Sequence, residues 1–143
     1  MTRSVSVVTI MILMLLAVAC SPASSSQPVP SPQYPVGTYQ TLTVDALADI
    51  LANHLQEYTI VNVHIPYAGE IEGTSAKIPY NDINTLMTTL PDKNAPIILY
   101  CRSGRMSKEA SLALLEQGYT RIWDVEGGMD AWVESSRSLI YKE

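Results

Sequence analysis

The residue best suited to chemistry in this sequence is Cys101, one of two cysteines in the chain. It follows the apolar run 96–100 directly and opens a loop that reads Cys101-Arg102-Ser103-Gly104-Arg105-Met106. The glycine allows the backbone to curl, and a helix starting after the loop would direct its unpaired N–H groups and the positive end of its dipole at the sulfur. Such surroundings favour a thiolate, the nucleophilic form of cysteine. The loop therefore indicates nucleophilic chemistry at Cys101.

Three cations lie in or beside this loop, namely Arg102, Arg105 and Lys108. Positive side chains near a helix N-terminus oppose the helix dipole, so helix stability does not explain them. They are explained if an anion normally occupies the loop. The alternative is that each is a solvated surface charge, but their clustering around one thiol favours the anion site.

The pattern of apolar residues places the loop in an α/β domain. Strands are predicted at 59–64, 96–100 and 121–125. Helices are predicted after an N-cap at Thr43, from an N-cap at Asn81 up to Pro91, over 107–117, and from Gly127-Gly128 onward. Strands that alternate with helices indicate a largely parallel sheet. Ligands bind beyond the carboxyl ends of such strands, which is where Cys101 stands.

Three stretches of the chain resemble rhodanese-like sulfurtransferases, and the resemblance runs from about residue 39 to the C-terminus. The loop is similar to the active-site loop of that family. A second segment is similar to the family's terminal signature and reads Val125-Glu126-Gly127-Gly128-Met129-Asp130-Ala131-Trp132. A weaker likeness lies in Gly69-Glu70-Ile71-Glu72-Gly73-Thr74, followed by Ile78-Pro79-Tyr80. The resemblance implies a rhodanese-like α/β fold over residues 39–143, with a central, mostly parallel five-stranded sheet and helices on both faces.

The same resemblance implies sulfur transfer. Cys101 would be the catalytic nucleophile, attacking thiosulfate or a polysulfide and keeping one sulfur as a persulfide. Residues 102–106 would bind the anionic sulfur through their N–H groups, and the two arginines would attract the donor. Cyanide or a thiol would then accept the sulfur. No metal or organic cofactor is implied, and the two histidines lack metal-ligand spacing.

Several positions depart from the family pattern or are predicted to be structural. Where the family often has Asp-x-Arg, this chain has Asn62-Val63-His64, so the charge pair is absent. Asn62 and His64 are expected at the rim of the pocket, with His64 either a titratable group near neutral pH or a structural histidine. Glu70 is assigned no role. His54, on an apolar helix face, is expected to be a core histidine, and Trp132 is expected to pack in the core.

Other functions form the alternatives. Some Cys-dependent phosphatases and arsenate reductases share the rhodanese-like fold, but they need an arginine six positions after the cysteine, where this chain has Ser107. Phosphoryl or arsenate chemistry is therefore not expected. A module that carries a persulfide without turnover, senses oxidants or binds a protein would use Cys101 equally well. A purely structural lipoprotein is the least favoured alternative, because it would not need a thiol among cations.

The start of the chain resembles a bacterial lipoprotein leader. Arg3 precedes an apolar run over 5–18, which is typical of a signal peptide and shorter than the roughly 20 residues of a membrane-spanning helix. The segment Ala17-Val18-Ala19-Cys20 is similar to a lipobox. A signal peptide over 1–19 and lipidation of Cys20 are therefore predicted, the alternative being ordinary cleavage with Cys20 left free. The Ser- and Pro-rich residues 20–38 would form a linker.

These features predict an exported protein that is lipid-anchored to the outer face of a bacterial membrane, in the periplasm or at the cell surface. The length of 143 residues fits one domain with appendages. Its 14 Asp and Glu against 9 Lys and Arg give a net charge of -5, which argues against nucleic acid as a partner. The expected partners are a small sulfur-containing anion, a thiol or cyanide acceptor, and the membrane through the lipid.

Overall fold

The computed structural model describes residues 38–142. The predicted signal peptide over 1–19, the predicted lipidation site Cys20 and the linker up to residue 37 lie outside the described residues, as does residue 143. Among the residues described, no helix has both the length and the apolar character needed to cross a membrane.

Five parallel strands form one central sheet. They are β1 (Gln40–Leu42), β2 (Thr59–Asn62), β3 (Ala76–Lys77), β4 (Ile97–Tyr100) and β5 (Ile122–Val125). The order across the sheet is β1-β5-β4-β2-β3, and each neighbouring pair runs parallel. The predicted α/β fold with a mostly parallel five-stranded sheet is therefore confirmed. Because β4 is the central strand, the residues that follow it are flanked by strands on both sides.

Four helices cover the two faces of this sheet. They are α1 (Val44–Asn53), α2 (Ile83–Thr89), α3 (Arg105–Glu116) and α4 (Gly128–Glu134). One hydrophobic core contains Leu86 of α2 and Leu114 of α3, and the other contains Leu47 of α1 and Trp132 of α4. The prediction of helices on both faces of the central sheet is therefore confirmed.

Strand β4 alternates its side chains between the two cores. Ile97, Leu99 and, one position beyond the strand, Cys101 belong to the core beneath α2 and α3. Ile98 and Tyr100 belong to the core beneath α1 and α4. All four strand residues are buried, as expected of a strand covered on both faces. The period of two places the Cys101 thiol on the side of the sheet that carries α3.

Two helix starts differ from the prediction. The N-cap of α2 is Asp82 rather than Asn81, because the Asp82 carboxylate accepts the backbone N–H of Thr85 at 3.1 Å. Helix α3 begins at Arg105 rather than at residue 107. Its N-cap, Gly104, has a left-handed backbone that turns the chain directly into the helix.

The prediction that His54 is a core histidine is wrong. Helix α1 ends at Asn53, and His54 follows it as the C-cap, so the residue leaves the apolar face of the helix. Its side chain is 50% exposed, and its Nδ1 lies 2.8 Å from Oε1 of Glu57. The hydrogen bond to Glu57 raises the pKa of His54. The prediction for Trp132 is confirmed, since its indole is buried and donates from Nε1 to the carbonyl of Ser138 at 3.0 Å.

Candidate active site

Cys101 lies directly after the central strand and has 1% of its surface exposed. Two donors contact its sulfur. The backbone N–H of Gly104 donates with a nitrogen–sulfur distance of 3.1 Å, and the Ser107 hydroxyl oxygen lies 3.4 Å from Sγ. Donors of this kind stabilise the anionic form of the acceptor. The structure therefore surrounds the sulfur with groups that favour negative charge.

The turn between β4 and α3 depends on Gly104. Its φ of 97° lies in the left-handed region, which side chains with a Cβ avoid. This conformation brings the Gly104 N–H back to the sulfur, while the Gly104 carbonyl accepts a bond from the N–H of Lys108 at 3.1 Å. The positive end of the α3 dipole therefore begins beside Cys101, as the sequence predicted.

The N-terminus of α4 holds the Cys101 loop (residues 101–106) from the other side. The N–H of Met129 donates to the carbonyl of Cys101, and the N–H of Asp130 donates to the carbonyl of Arg102, both at 2.9 Å. Because the C=O and N–H of a trans peptide point in opposite directions, the N–H groups of Arg102 and Ser103 point away from α4. The paired-glycine segment thus orients the amides of the loop.

Gly128 permits this close packing of α4 on the loop. A Cβ at that position would lie 2.2 Å from the Cys101 carbonyl oxygen and 2.8 Å from the Arg102 carbonyl oxygen. Its φ of 55° is also left-handed. Glycine is the residue that satisfies both requirements. The resemblance that the sequence carries at Gly127-Gly128 therefore has a geometric reason.

Both arginines of the Cys101 loop are exposed and paired with carboxylates. Arg102 Nε lies 3.2 Å from Asp130 Oδ1, and Arg105 Nη1 lies 2.6 Å from Glu109 Oε1. The arginine side chains are 64% and 63% exposed, respectively. Exposed ion pairs of this kind are weak, so both guanidinium groups can turn to an incoming anion.

The two other side chains of the loop differ in their surroundings. Ser103 is exposed, whereas Met106 is partly buried and packs against the core beneath α2 and α3. Met106 can therefore reach an anion only through its backbone N–H. Within the loop, the amide contact to the sulfur is that of Gly104, and anion binding by the other amides stays a prediction.

Asn62 and His64 lie at different depths. Asn62 is 2% exposed; its Oδ1 accepts the N–H of His64, and its Nδ2 donates to the carbonyl of Gly69, both at 3.0 Å. It therefore holds backbone beneath the surface instead of lying at the pocket rim, in contrast to the prediction. His64 is partly buried, and burial together with the charge of Arg102 lowers its pKa, although Asp130 acts to raise it. This places His64 beside the Arg102–Asp130 pair.

The site also contains two buried polar residues to which the sequence analysis gave no role. Ser107 of α3 is fully buried, and its hydroxyl donates to the carbonyl of Gly104 at 3.2 Å as well as contacting the sulfur. Asp124 of β5 is 7% exposed. Burial raises the pKa of Asp124 to about 6, although a hydrogen bond from Ser107 and the charge of Lys108 act to lower it. The signal in the sequence is one acid within the otherwise apolar strand 122–125.

The donor set fits nucleophilic chemistry on an anion. Cys101 is a free thiol next to a helix N-terminus, with two guanidinium groups exposed nearby. Within residues 38–142, no group of three or more His, Cys, Asp and Glu side chains is arranged to hold a metal ion. What the arrangement can do is stabilise a sulfur anion and bring an anionic reactant to it.

Comparisons with known proteins point in the same direction. The profile of a family described as the Rhodanese-like domain matches residues 45–135. A sulfurtransferase of Allochromatium vinosum is 33% identical over 67 residues, which are 47% of this chain and 62% of that protein. The thiosulfate sulfurtransferase PspE of Escherichia coli K12 is 33% identical over 73 residues, which are 49% of this chain and 70% of that protein.

The fold is shared with solved structures. A rhodanese-related protein of Thermoplasma volcanium superposes with a TM-score of 0.59 and 23% sequence identity. The superposition covers 73% of this chain and 100% of that chain. At this level of identity, the likeness shows a common fold.

Proposed function

This chain belongs to the Rhodanese-like domain family, and from that premise we propose that it is a sulfurtransferase that carries sulfur as a persulfide on Cys101. The donor is a small anion with a sulfane sulfur, thiosulfate or a polysulfide, and the acceptor is cyanide or a thiol. The observation that carries the proposal is the N–H of Gly104 on the Cys101 sulfur at 3.1 Å, in a loop whose first two carbonyls are bound by α4.

In the first half-reaction, the Cys101 thiolate attacks the outer sulfur of thiosulfate. A new S–S bond forms to Cys101, the S–S bond of thiosulfate breaks, and its electron pair leaves with sulfite. The exposed guanidinium groups of Arg102 and Arg105 attract the dianion to the loop. The donors from Gly104 and Ser107 favour the attacking thiolate.

In the second half-reaction, the acceptor attacks the outer sulfur of the persulfide. That S–S bond breaks, its electron pair returns to Cys101 as a thiolate, and the product is thiocyanate from cyanide or a new persulfide from a thiol. The N–H groups of Arg102 and Ser103, which α4 directs away from itself, supply donors for the anionic outer sulfur. The outer sulfur extends beyond Sγ, which matters because Cys101 is 1% exposed.

Thiocyanate formation from thiosulfate and cyanide tests this proposal. The protein is the full-length chain in detergent, with Cys20→Ser so that Cys101 is its single thiol. Multiple turnovers are expected, with a loss on the order of 1,000-fold or more when Cys101→Ser is added. Uptake of one sulfur without turnover would instead indicate that the protein only carries a persulfide. An equal rate in the Cys101→Ser protein would overturn the role of Cys101.

We also propose that the protein is exported and held at the outer face of a bacterial membrane by a lipid on Cys20. The support is the apolar run 5–18 followed by Ala17-Val18-Ala19-Cys20 in the sequence, because acyl chains anchor a protein without a spanning helix. Growth of an expressing bacterium with a labelled fatty acid should label the protein, and Cys20→Ser should remove the label. Labelling that persists in that variant would contradict lipidation at Cys20.

A further inference from the structure

The thiol side of the sheet contains buried polar side chains, of which the proposed half-reactions use only the hydroxyl of Ser107. Ser107 and Ser111 lie one turn apart on α3, and both are fully buried. Asp124 approaches them from β5 and is 7% exposed. Within the described residues, the hydroxyl oxygen of Ser111 and the Oδ1 atom of Asp124 have no hydrogen-bond partner. Such buried, unsatisfied atoms are costly, so their position beside a reactive thiol calls for an explanation.

Strand register places Asp124 on the thiol side of the sheet. Its partner on β4 is Leu99, and Leu99 and Cys101 belong to the same core, two residues apart. The charged group that acts on Asp124 is Lys108 on α3, while β1 contributes Thr41, which is neutral. Cys101 lies on the same side of the sheet, two residues beyond Leu99, the partner of Asp124 on β4. One negative charge introduced at Asp124 is therefore opposed by a single lysine and lies on the same side as the sulfur.

Ser107 stands between the two groups. Its hydroxyl oxygen lies 3.4 Å from Cys101 Sγ and 3.2 Å from the Gly104 carbonyl oxygen, and its hydroxyl also acts to lower the pKa of the Asp124 carboxyl group. A serine hydroxyl has one hydrogen to donate. A neutral carboxylic acid can donate to the serine oxygen, so that the serine hydrogen is shared between the sulfur and the Gly104 carbonyl alone. An ionised carboxylate can only accept, and it competes with the sulfur for the same hydrogen.

We propose that Asp124 is a positioning residue for Cys101, and that its carboxyl group decides whether the Ser107 hydroxyl donates to the cysteine sulfur or turns away from it. When Asp124 is neutral, the thiolate keeps the donor. When Asp124 is ionised, the thiolate loses the donor and gains a like charge nearby, and both changes disfavour it. Because burial raises the pKa of Asp124 to about 6, the change falls close to neutral pH. The inference deepens the proposed function, on which it rests for the importance of the thiolate.

The thiolate absorbance near 240 nm, followed against pH, tests the proposal without any sulfur donor. The protein is the full-length Cys20→Ser chain, and Asp124→Asn models the neutral acid at every pH. In this variant, the thiolate should appear as a one-proton curve whose midpoint lies lower by at least about half a pH unit. Superimposable curves for the two proteins would overturn the proposal.

Two further variants separate the route through Ser107 from a direct effect of charge. In a Ser107→Ala background, the shift caused by Asp124→Asn should shrink clearly, because the shared hydroxyl is absent. An undiminished shift would overturn the positioning role. Ser111→Ala is the matched control, a buried serine one turn away, and it should leave the midpoint unchanged.

The unsubstituted Asp124 can also be followed, so that the test does not depend on how the variants fold. In the parent protein, the carbon-13 shift of the Cys101 Cβ should show a second inflection at the pH where the Asp124 carboxyl carbon titrates. A single inflection would contradict the proposal. These titrations need no thiosulfate, so a failure of coupling and a failure of sulfur transfer give different results.

Discussion

Among residues 38–142, the buried carboxylates are those of Glu70 and Asp124, and their surroundings differ. Glu70 is 1% exposed, and its oxygens lie 2.5 Å from Lys142 Nζ and 3.9 Å from Lys77 Nζ; these three residues form the Glu70 cluster. Asp124 is 7% exposed and forms no ion pair with any of the residues described, although Ser107 and the charge of Lys108 act to lower its pKa. Glu70 therefore has two lysines within ion-pair distance, whereas Asp124 has none.

The surroundings of the two carboxylates indicate different roles for Glu70 and Asp124. The Glu70 cluster ties Lys142, in the C-terminal segment, to the loop after β2, and the same segment bonds to Glu70 through backbone N–H and carbonyl pairs with Ile140 at 2.8 Å. Its charges stabilise the packing of that segment. A buried acid without an ion pair costs stability, and groups of this kind concentrate at functional sites. The contrast therefore assigns structure to Glu70 and function to Asp124.

The largest effect is expected where backbone packing, rather than charge, holds the Cys101 loop. Gly128→Ala would place a Cβ 2.2 Å from the Cys101 carbonyl oxygen, so the loop must move, and a shift of about 1 Å can cost on the order of 100-fold in turnover. Thiocyanate formation should fall by that much or more, while the Glu70 cluster is untouched. Gly118→Ala is the control, because its φ of +87° is also positive but Lys93 Cδ is 4.0 Å away. Equal rates in the two variants would contradict the account.

The next largest effect is a pH-dependent change in the free energy of unfolding of the protein, caused by Asp124. Burial raises the pKa of Asp124 from 3.8 to about 6, so the folded protein holds this proton more tightly than the unfolded chain. The resulting stability is present below pH 4 and is lost as the pH rises through about 6. A shift of this size corresponds to about 3 kcal/mol.

Urea denaturation of the parent and Asp124→Asn at several pH values measures this effect. Relative to the parent, Asp124→Asn should gain about 3 kcal/mol between pH 4 and pH 8, because the amide never ionises. Other titrating groups, such as Asp82, whose hydrogen bonds from Thr85 lower its pKa, cancel in the comparison. A stability difference that is constant with pH would contradict the raised pKa of Asp124.

Removing a cation from the Glu70 cluster should lower the free energy of unfolding without changing the chemistry of Cys101. Lys142→Ala takes away the cation at 2.5 Å and leaves Glu70 buried with Lys77 at 3.9 Å. The free energy of unfolding should fall, because a buried charge loses its partner. Thiolate titration of Cys101 should stay unchanged. Lys93→Ala, which removes an exposed lysine bonded to a backbone carbonyl, is the control; an equal loss there would argue against a special role for Lys142.

The smallest effect is expected from an exposed arginine of the loop. Arg105 is 63% exposed and already paired with Glu109 at 2.6 Å, so its attraction for thiosulfate is partly compensated and screened by salt. Arg105→Ala should raise KM for thiosulfate about 2- to 5-fold with little change in kcat. Arg121→Ala, before β5 at the opposite end of the sheet, should change neither. A large fall in kcat for Arg105→Ala would place its guanidinium on the reacting atoms.

Much of this arrangement is visible in the sequence because it depends on local patterns. The apolar run before Cys101 predicts β4, and the glycine in the loop predicts the curl that leads into α3. Strands β1 and β3 were not predicted, since they are three and two residues long and lie at the edges of the sheet. The role of Asp124 depends on α3 packing over β5, a contact between distant segments that no local pattern encodes. His54 was misjudged because the helix ends one residue before it.

The intact mass of the full-length Cys20→Ser chain, measured before thiosulfate, after thiosulfate and then after cyanide, tests whether Cys101 carries a persulfide. We expect a gain of one sulfur atom with thiosulfate and its removal by cyanide, with neither change when Cys101→Ser is added. No gain in mass for the chain that keeps Cys101 would contradict persulfide formation from thiosulfate. A gain that survives in the Cys101→Ser protein would contradict the assignment of this thiol.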